Sequence, residues 1–484
     1  MSVRARLGAL VLAAGFGCSV GIIGPSVGIG VLVVLAGLLA LAPFALAALR
    51  GKFDIFEPVY LFAASYAVLF VLRPAFELSQ PGGPALVVGQ DPVPQYADAL
   101  VAAILGGAAY YAGYYGALGS LLAQRVGIPR DDLWGASLAV FALVLTMGGL
   151  GLYAAFLIQS GGLSALATIL AGRSPGSASL LAQPLGYLYS GPLWLGGLGV
   201  LLLALAPRWW SPRGAAALAL VMVSQVTTVT SGSRSWTLPI LAAIVLLWYL
   251  RRGRRPSPLL IALALVPVFV VGVSAPRDYR GTSTRSGSFV DTVFADLGDL
   301  ESSVNAFFLG ADTAMLPDLA VEMRYVPSVI PYQMGSTYLE ALTRPIPRAL
   351  WLDKPKAADT RLMETLWPSL AAQGVGFSYS GFGEPYLNFG FVGVLAFGIL
   401  FGLAGRAFYE WFRRASHNRI VQVLFALSWP FVFVYMRGGL GVDYQRQVIL
   451  VAPVVVAWLY ARRSARAASA SKLGAPPSAE PKPA

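Results

Sequence analysis

The sequence predicts an all-α, polytopic integral membrane protein. Of its 484 residues, 57% are hydrophobic and only 12% are charged, and the mean hydropathy is +0.67. A single soluble core cannot bury this much apolar surface. Apolar stretches of about twenty residues, enough to cross about 30 Å of hydrocarbon, recur along the chain. These observations exclude a soluble enzyme held by one terminal anchor and make the lipid bilayer an expected partner.

The hydropathy pattern predicts about twelve transmembrane helices, with the charges gathered in the segments between them. The 37 residues from Gly214 to Leu250 contain one charged residue, Arg234, and are too long for a single span. We therefore predict two helices that meet at this arginine. The predicted spans cover residues 7–23, 26–49, 57–73, 96–119, 133–158, 185–206, 214–231, 235–250, 258–274, 386–405, 420–436 and 447–461.

These spans divide the chain into four parts. Residues 1–274 hold nine predicted helices, residues 275–385 form one large extracytoplasmic loop, and residues 386–461 hold three more helices. Residues 462–484 are rich in Ala, Ser, Pro, Lys and Arg. This composition predicts a disordered, basic cytoplasmic tail close to anionic lipid.

The charges are distributed unequally between the two sides of this predicted topology. With the N-terminus in the cytoplasm, the inside segments hold 21 of the 35 basic residues but only 6 of the 23 acidic ones. The positive-inside rule therefore predicts that both termini are cytoplasmic. The net charge of +12 follows from this orientation and does not indicate nucleic acid as a partner. The single cysteine, Cys18, excludes an internal disulfide, and neither a cofactor nor a metal site is predicted.

The large loop is the predicted location of functional chemistry, because it holds 9 of the 14 outer basic residues. Between Arg344 and Pro355, stiff proline-containing backbone holds cations beside the indole of Trp351. This pattern suits the binding of a phosphorylated sugar lipid, and a solvated loop with incidental charge is the alternative. Earlier in the loop, residues 291–309 are predicted to form an amphipathic helix on the outer leaflet.

Four further residues are candidates at the outer ends of helices. Arg234 and Arg437 end or begin apolar segments and have small neighbours. An arginine near hydrocarbon faces a polar cavity or reaches the headgroups, and together these two favour a shared diphosphate site. Glu384 and Asn388 are predicted to lie one helical turn apart at the mouth of the tenth helix. As the alternative, Glu384 only caps the N-terminus of that helix.

These motifs resemble those of the Wzy-type O-antigen polymerases, also called oligosaccharide repeat unit polymerases. The matching pieces are Ser231 to Arg234, Gly335 to Tyr338, Ile346 to Pro355, Gly383 to Gly390, and Arg437 with the glycine after it. The resemblance implies a GT-C-like fold in the bacterial inner membrane. It implies an enzyme that polymerises undecaprenyl-pyrophosphate-linked repeat units at the outer face of that membrane, with a chain-length regulator protein as a further partner.

The implied reaction releases undecaprenyl pyrophosphate, so it requires cations at the diphosphate and a base at the acceptor hydroxyl. The base is predicted to be Glu384, with Asp353 and Asp278 as alternatives, because the only histidine, His417, lies in an inside loop. The residues predicted to contact the diphosphate or the rest of the substrate are Arg234, Arg437, Arg348, Arg277, Arg280, Trp351, Lys354, Tyr386 and Asn388.

Three other functions stay open at this point. An O-antigen ligase would share the donor and the multi-pass architecture, although the motifs around Trp351 and Glu384 look more like those of the polymerases. A transporter or lipid flippase would carry ionisable residues or broken helices at mid-membrane depth, whereas the predicted helix centres lack charge. The third alternative is a structural scaffold of an envelope assembly complex.

Overall fold

The part of the chain described by the computed structural model is helical. It comprises residues 25–473 except 81–82, 85, 88, 129–135, 163, 165–189, 231–233, 258–293, 295–297, 344–345, 347–349, 352, 354–357 and 373–378. Within these residues there is no β-sheet, and the extended pairing there is an isolated bridge between Val87 and Gln90.

Nine described helices precede the predicted large loop. They are α1 (Pro25–Arg50), α2 (Pro58–Ala67), α3 (Arg73–Ser79), α4 (Tyr96–Tyr115), α5 (Ala117–Arg125), α6 (Ala136–Gln159), α7 (Ser190–Leu205), α8 (Pro212–Thr230) and α9 (Arg234–Arg251). A π-helical segment, Val68–Leu72, joins α2 to α3, so that the two helices form one continuous span.

Nine more described helices follow. They are α10 (Leu300–Phe308), α11 (Met315–Tyr325), α12 (Ser336–Thr343), α13 (Ala358–Leu366), α14 (Pro368–Ala372), α15 (Gly383–Arg414), α16 (Arg419–Ser428), α17 (Phe431–Gly438) and α18 (Leu440–Leu473). The predicted helix at 420–436 is divided between α16 and α17, because Pro430 has no N–H with which to continue the first of them.

Six stretches of the described chain are long and apolar enough to cross a membrane. They are Gly28–Arg50, Pro58–Ser79, Leu138–Gln159, Gly383–Arg414, Arg419–Gly438 and Asp443–Ser464. The prediction of an all-helical polytopic membrane protein is therefore confirmed. The predicted spans at 7–23 and 258–274 lie outside the described residues.

Several helix boundaries differ from those predicted, and three of these differences concern the candidate residues, the tail and the large loop. Helix α15 begins at Gly383, three residues before the predicted start, which places Glu384 inside its first turn. Helix α18 continues to Leu473, into the predicted disordered tail, because alanine-rich sequence there favours helix. In the predicted amphipathic segment 291–309, α10 covers the C-terminal half, and the Asp299 carboxylate caps it by accepting the Ser302 N–H at 3.0 Å.

The long helices α4 and α15 pack closely against each other and position the N-terminal end of α15. Glycine makes this approach possible, since a Cβ at Gly402 would overlap the Tyr110 carbonyl and one at Gly113 would overlap that of Ile399. Small residues allow such close packing between membrane helices. Next to this contact, the ring of Phe62 stacks on that of Tyr110 with 3.5 Å between centroids.

An ion-pair cluster lies at the C-terminal end of α15. Arg406 pairs with Glu57 at 3.2 Å and with Glu410 at 2.6 Å. The side chain of Arg255 pairs with Asp54 at 2.7 Å. This cluster lies at the end of α15 opposite to Glu384.

Candidate functional site

Two motifs that are about fifty residues apart meet at the N-terminal end of α15. The Gly381 N–H donates a hydrogen bond to the Met436 carbonyl at 2.9 Å. The Gly441 N–H donates to Glu384 Oε2 at 2.8 Å. The segments that carry Glu384 and Arg437, which the sequence singles out independently, are therefore joined in one region of the protein.

Glycines at the break between α17 and α18 make room for the Glu384 carboxylate. Gly439 has a φ of +88°, which favours glycine, and a Cβ at this position would lie 2.8 Å from Glu384 Oε2. A Cβ at Gly441 would overlap Glu384 Oε1. The carboxylate lies at the N-terminus of α18, where the helix dipole and the Gly441 N–H favour its negative charge.

Thr337 and Asn388 complete the surroundings of this carboxylate, which is only 2% exposed. The Thr337 hydroxyl donates to Glu384 Oε1 at 2.9 Å and accepts from Asn388 Nδ2 at 2.8 Å. Asn388 Nδ2 also donates to the Glu384 carbonyl at 2.8 Å, which confirms the predicted one-turn spacing. The alternative was that Glu384 only caps the N-terminus of its own helix. In the structure, its side chain caps the N-terminus of α18 instead.

A break in α15 allows the chain before α12 to bind next to this cluster. Gly390 has a φ of +62°, so the regular helix is interrupted after Asn388. The freed carbonyls of Leu387 and Asn388 accept hydrogen bonds from the Gln333 N–H at 2.9 Å and the Met334 N–H at 3.1 Å. These bonds hold the segment that leads into α12 against α15.

Arg437 lies at the polar end of a narrow apolar cleft. The guanidinium donates to Asp312 Oδ1 at 3.0 Å and to the Asp312 carbonyl at 3.3 Å, and it donates to Ser235 Oγ at 3.4 Å. The cleft has a volume of about 60 Å³ and is lined by Val68, Leu69, Ser235, Leu238, Phe307, Asp312, Thr313, Phe433, Val434 and Arg437. A guanidinium beside apolar walls suits an anionic head attached to an apolar chain.

A buried ion pair holds the segment that carries Asp312. Arg73 Nε donates to Glu77 Oε1 at 2.7 Å, and Arg73 Nη1 donates to the Gly310 carbonyl at 2.9 Å. The Tyr96 hydroxyl donates to Glu77 Oε2 at 2.6 Å. A desolvated pair of this kind is favourable only when further hydrogen bonds satisfy both charges, as they do here. The pair therefore positions one wall of the cleft.

Two buried carboxyls of α11 lie behind the first turn of α15. A Cβ at Gly383 would lie 2.5 Å from Glu322 Oε2, and neither Glu322 oxygen has a hydrogen-bond partner within the described structure. Burial raises the pKa of Glu322 well above its ordinary value, and the charges of Asp318 and Glu384 add to this shift. Burial also raises the pKa of Asp318, against the opposing effect of the Arg73 guanidinium. Glu322 therefore keeps its proton to a higher pH than an ordinary glutamate.

Three more of the predicted residues lie in the described part of the chain, namely Tyr386, Trp351 and Asp353. The Tyr386 ring is buried and packs edge-on against Tyr332, with 6.3 Å between the centroids. Trp351 and Asp353 are exposed. Glu384, in contrast, is buried at the N-terminal end of α15, close to Glu322 of α11.

Arg234 is the first residue of α9, and the next residue, Ser235, contacts Arg437. The backbone at Arg234 therefore lies next to the cleft, while its side chain is outside the described part of the structure. Among the described residues, no group of three or more His, Cys, Asp or Glu side chains could hold a metal ion. The candidates that fall outside the described residues are Arg277, Asp278, Arg280, Arg348 and Lys354.

Several residues of the site are absent from the candidates that the sequence analysis predicts. Arg73 and Glu77 have the four-residue spacing of a helical ion pair at the end of an apolar segment, which is a usable signal. Asp312 offers no such signal, because its partner Arg437 is 125 residues away along the chain. Thr337 is likewise an ordinary residue of a loop helix until the fold places it against Glu384.

Comparison with known proteins identifies the family of this chain. The model of the family described as O-antigen polysaccharide polymerase Wzy matches residues 215–462, just over half of the chain. The matched region contains Thr337, Glu384, Arg437 and Gly441. Neither the curated proteins nor the solved structures contain a match to the chain. The chain therefore belongs to the O-antigen polysaccharide polymerase Wzy family, and it is a multi-pass helical membrane protein of polysaccharide biosynthesis.

Proposed function

We propose that the protein joins undecaprenyl-pyrophosphate-linked oligosaccharide repeat units into a polysaccharide at the outer face of the bacterial inner membrane. One observation carries the proposal: the Arg437 guanidinium lies at the polar end of an apolar cleft, and hydrogen-bonded backbone joins it to the buried Glu384 carboxylate. A polyprenyl diphosphate has the matching order of parts, with an apolar chain, then a diphosphate, then a sugar. Membership of the Wzy family supports a polymerase that acts on lipid-linked glycan.

Arg437 is proposed to bind the diphosphate of the donor. Its planar, permanently charged guanidinium can contact two phosphate oxygens at once. In the structure these N–H groups are bonded to Asp312, so a phosphate has to replace that carboxylate. Negative charge grows on the diphosphate as the bond to the sugar breaks, and the guanidinium stabilises it. Phe307 and Phe433 line the cleft where the first isoprene units would lie.

Glu384 is proposed to accept the proton of the acceptor hydroxyl. The hydroxyl oxygen attacks the anomeric carbon, and the bond from that carbon to the diphosphate oxygen breaks. The electron pair of this bond leaves with undecaprenyl pyrophosphate, and the proton passes to the carboxylate. The Thr337 hydroxyl already donates to Glu384 Oε1 at 2.9 Å, in the position that the acceptor hydroxyl would take. Since Glu384 is buried, α12 has to shift before a sugar can enter.

The finer assignments belong to the same proposal. They include twelve spans in a GT-C-like arrangement, both termini in the cytoplasm, an outer loop at 275–385 and a chain-length regulator protein as partner. The further residues proposed to contact the diphosphate or the sugars are Arg234, Arg277, Arg280, Arg348, Trp351, Lys354, Tyr386 and Asn388.

A reconstituted polymerisation assay tests the proposal. The purified protein in lipid vesicles receives undecaprenyl-pyrophosphate-linked repeat units, without nucleotide sugar or ATP. We expect products that form a ladder with the spacing of one repeat unit. A single capped product that forms only after lipid A core is added would show a ligase instead. The absence of product in both assays would contradict glycosyl transfer.

Arg437→Ala tests the diphosphate assignment in the same assay. Loss of a hydrogen-bonded charge pair costs about 2–5 kcal/mol, which lowers the rate at least about 30-fold. Arg437→Lys should restore little activity because it lacks the planar fork. Arg406→Ala is the matched control, since both arginines are ion-paired and are 26% and 25% exposed. Equal ladders from the two alanine variants, per inserted protein, would refute the assignment.

A further inference from the structure

Helix α12 has two faces of opposite character. Thr337 and Ala341 are buried, and Thr337 contacts Glu384. On the other face, Leu339 and Leu342 lie one turn apart and are 65% and 71% exposed. Within the described part of the protein, nothing covers these two leucines.

Exposed apolar residues also flank α12 in the sequence. Met334 precedes the helix, and Ile346, Leu350 and Trp351 follow it, and all four side chains are exposed. Exposed large apolar side chains grouped along one segment mark a site of contact with a membrane or with another protein. A tryptophan next to exposed aliphatic side chains is typical of the interface between a bilayer and water.

This surface adjoins the exposed face of a candidate membrane span. The Met334 N–H donates to the Asn388 carbonyl of α15 at 3.1 Å. Gly335 lies against Phe389, since a Cβ there would be 3.2 Å from Phe389 Cζ. Phe389 and, three residues later, Val392 are exposed apolar residues of α15. Exposed apolar residues at the start of this candidate span therefore adjoin the segment that leads into α12.

We propose that α12 lies in the membrane leaflet at the Glu384 end of the spans, with Leu339 and Leu342 covered by lipid acyl chains. A second candidate span, α18, flanks α12 on its other side, where the Tyr444 hydroxyl donates to the Ala341 carbonyl. An amphipathic helix across the ends of spans has its apolar face about 5–10 Å into the boundary of headgroups and acyl chains. The proposal goes beyond the proposed polymerisation and does not depend on it.

The consequence concerns how a molecule reaches Glu384. One face of α12 donates a hydrogen bond to this carboxylate, and the other face contacts lipid. A movement of α12 within the leaflet would therefore open Glu384 toward the bilayer. A lipid-carried molecule could then enter sideways from the membrane without passing through water.

Spin labels on single cysteines test the position of α12. The chain has one cysteine, so Cys18→Ser provides a cysteine-free background. Labels are attached in Leu339→Cys and Leu342→Cys proteins, reconstituted in phosphatidylethanolamine and phosphatidylglycerol vesicles. Collisions are measured with oxygen, which concentrates in lipid, and with a water-soluble nickel chelate. Val392→Cys on α15 is the lipid-facing reference, and Ser328→Cys in an exposed turn is the aqueous reference.

We expect the labels at 339 and 342 to behave like the label at 392, with more oxygen and fewer nickel collisions than the label at 328. Nickel collisions as frequent as at 328 would overturn the proposal. Few collisions with either reagent would also overturn it, because a second copy or another protein would then cover α12. The collision rates require no turnover, so a failed polymerisation assay and a failed lipid contact are distinguished. Either leucine position alone suffices if the other variant does not fold.

Discussion

Replacing Gly441 with alanine is a direct test of how the Glu384 carboxylate is held. The added Cβ would overlap Glu384 Oε1 and lie 3.3 Å from the Thr337 carbonyl. The carboxylate must then move away from the N-terminus of α18. Its hydrogen bonds from the Gly441 N–H at 2.8 Å and the Thr337 hydroxyl at 2.9 Å are lengthened or lost.

Gly441→Ala should have two opposing effects on the free energy of unfolding. Gly441 lies in the first turn of α18, where alanine is intrinsically more favourable than glycine by up to ~1 kcal/mol. A hydrogen bond to a charged group contributes about 1.5–3 kcal/mol, and two such bonds are disturbed. If both bonds are lost, we expect the free energy of unfolding to fall by roughly 2–5 kcal/mol after the gain from alanine is subtracted. If Glu384 is the base, product formation should fall about tenfold or more, because the carboxylate leaves its position.

Unfolding in mixed micelles and the ladder assay measure the two effects. Gly148→Ala is the matched control, since a Cβ at this position in α6 would have no atom within 4 Å. It should leave activity unchanged and stability equal or slightly higher. Glu384→Asp shortens the side chain by one methylene, so it should recover part of the stability lost in Gly441→Ala. A double-mutant cycle measures this coupling.

Two results would refute this reasoning. If Gly441→Ala is as stable and as active as Gly148→Ala, the Glu384 carboxylate does not lie against the start of α18. If the effects of Gly441→Ala and Glu384→Asp simply add, the two residues do not touch.

Two further predictions concern the buried charges. The raised pKa of Glu322 means that the folded protein keeps a proton that the unfolded chain releases, so this group makes stability fall as the pH rises above an ordinary carboxyl pKa. The free energy of unfolding should fall by about 1.4 kcal/mol per pH unit until the raised pKa is reached. Glu322→Gln should remove this pH dependence. Unfolding measurements that show the same pH dependence in Glu322→Gln would contradict the assignment. Arg73→Gln leaves Glu77 buried without its cation and should cost about 3–5 kcal/mol of unfolding free energy. Adding Glu77→Gln should recover part of that loss, whereas a still less stable double variant would show that no buried ion pair exists.

The helices are the part of this protein that hydropathy predicts well. The predicted segments 26–49 and 133–158 correspond to α1 and α6 within three residues, because an apolar run of bilayer length has few alternatives to a helix. The errors lie where backbone chemistry changes within such a run. Pro430 divides one predicted helix, and the positive φ of Gly390 interrupts another.

The sequence by itself determined the class of the protein, the approximate positions of its helices and two of its candidate residues, Glu384 and Arg437. These follow from local composition. A membrane segment must satisfy its own backbone hydrogen bonds. An isolated charge near hydrocarbon must face a polar cavity or pair with another group. Only the tertiary structure decided what those residues contact. The bond from Gly441 to Glu384 spans 57 residues, and that from Arg437 to Asp312 spans 125. Such contacts depend on how closely helices pack at small residues, and this packing leaves no periodic signal in the chain.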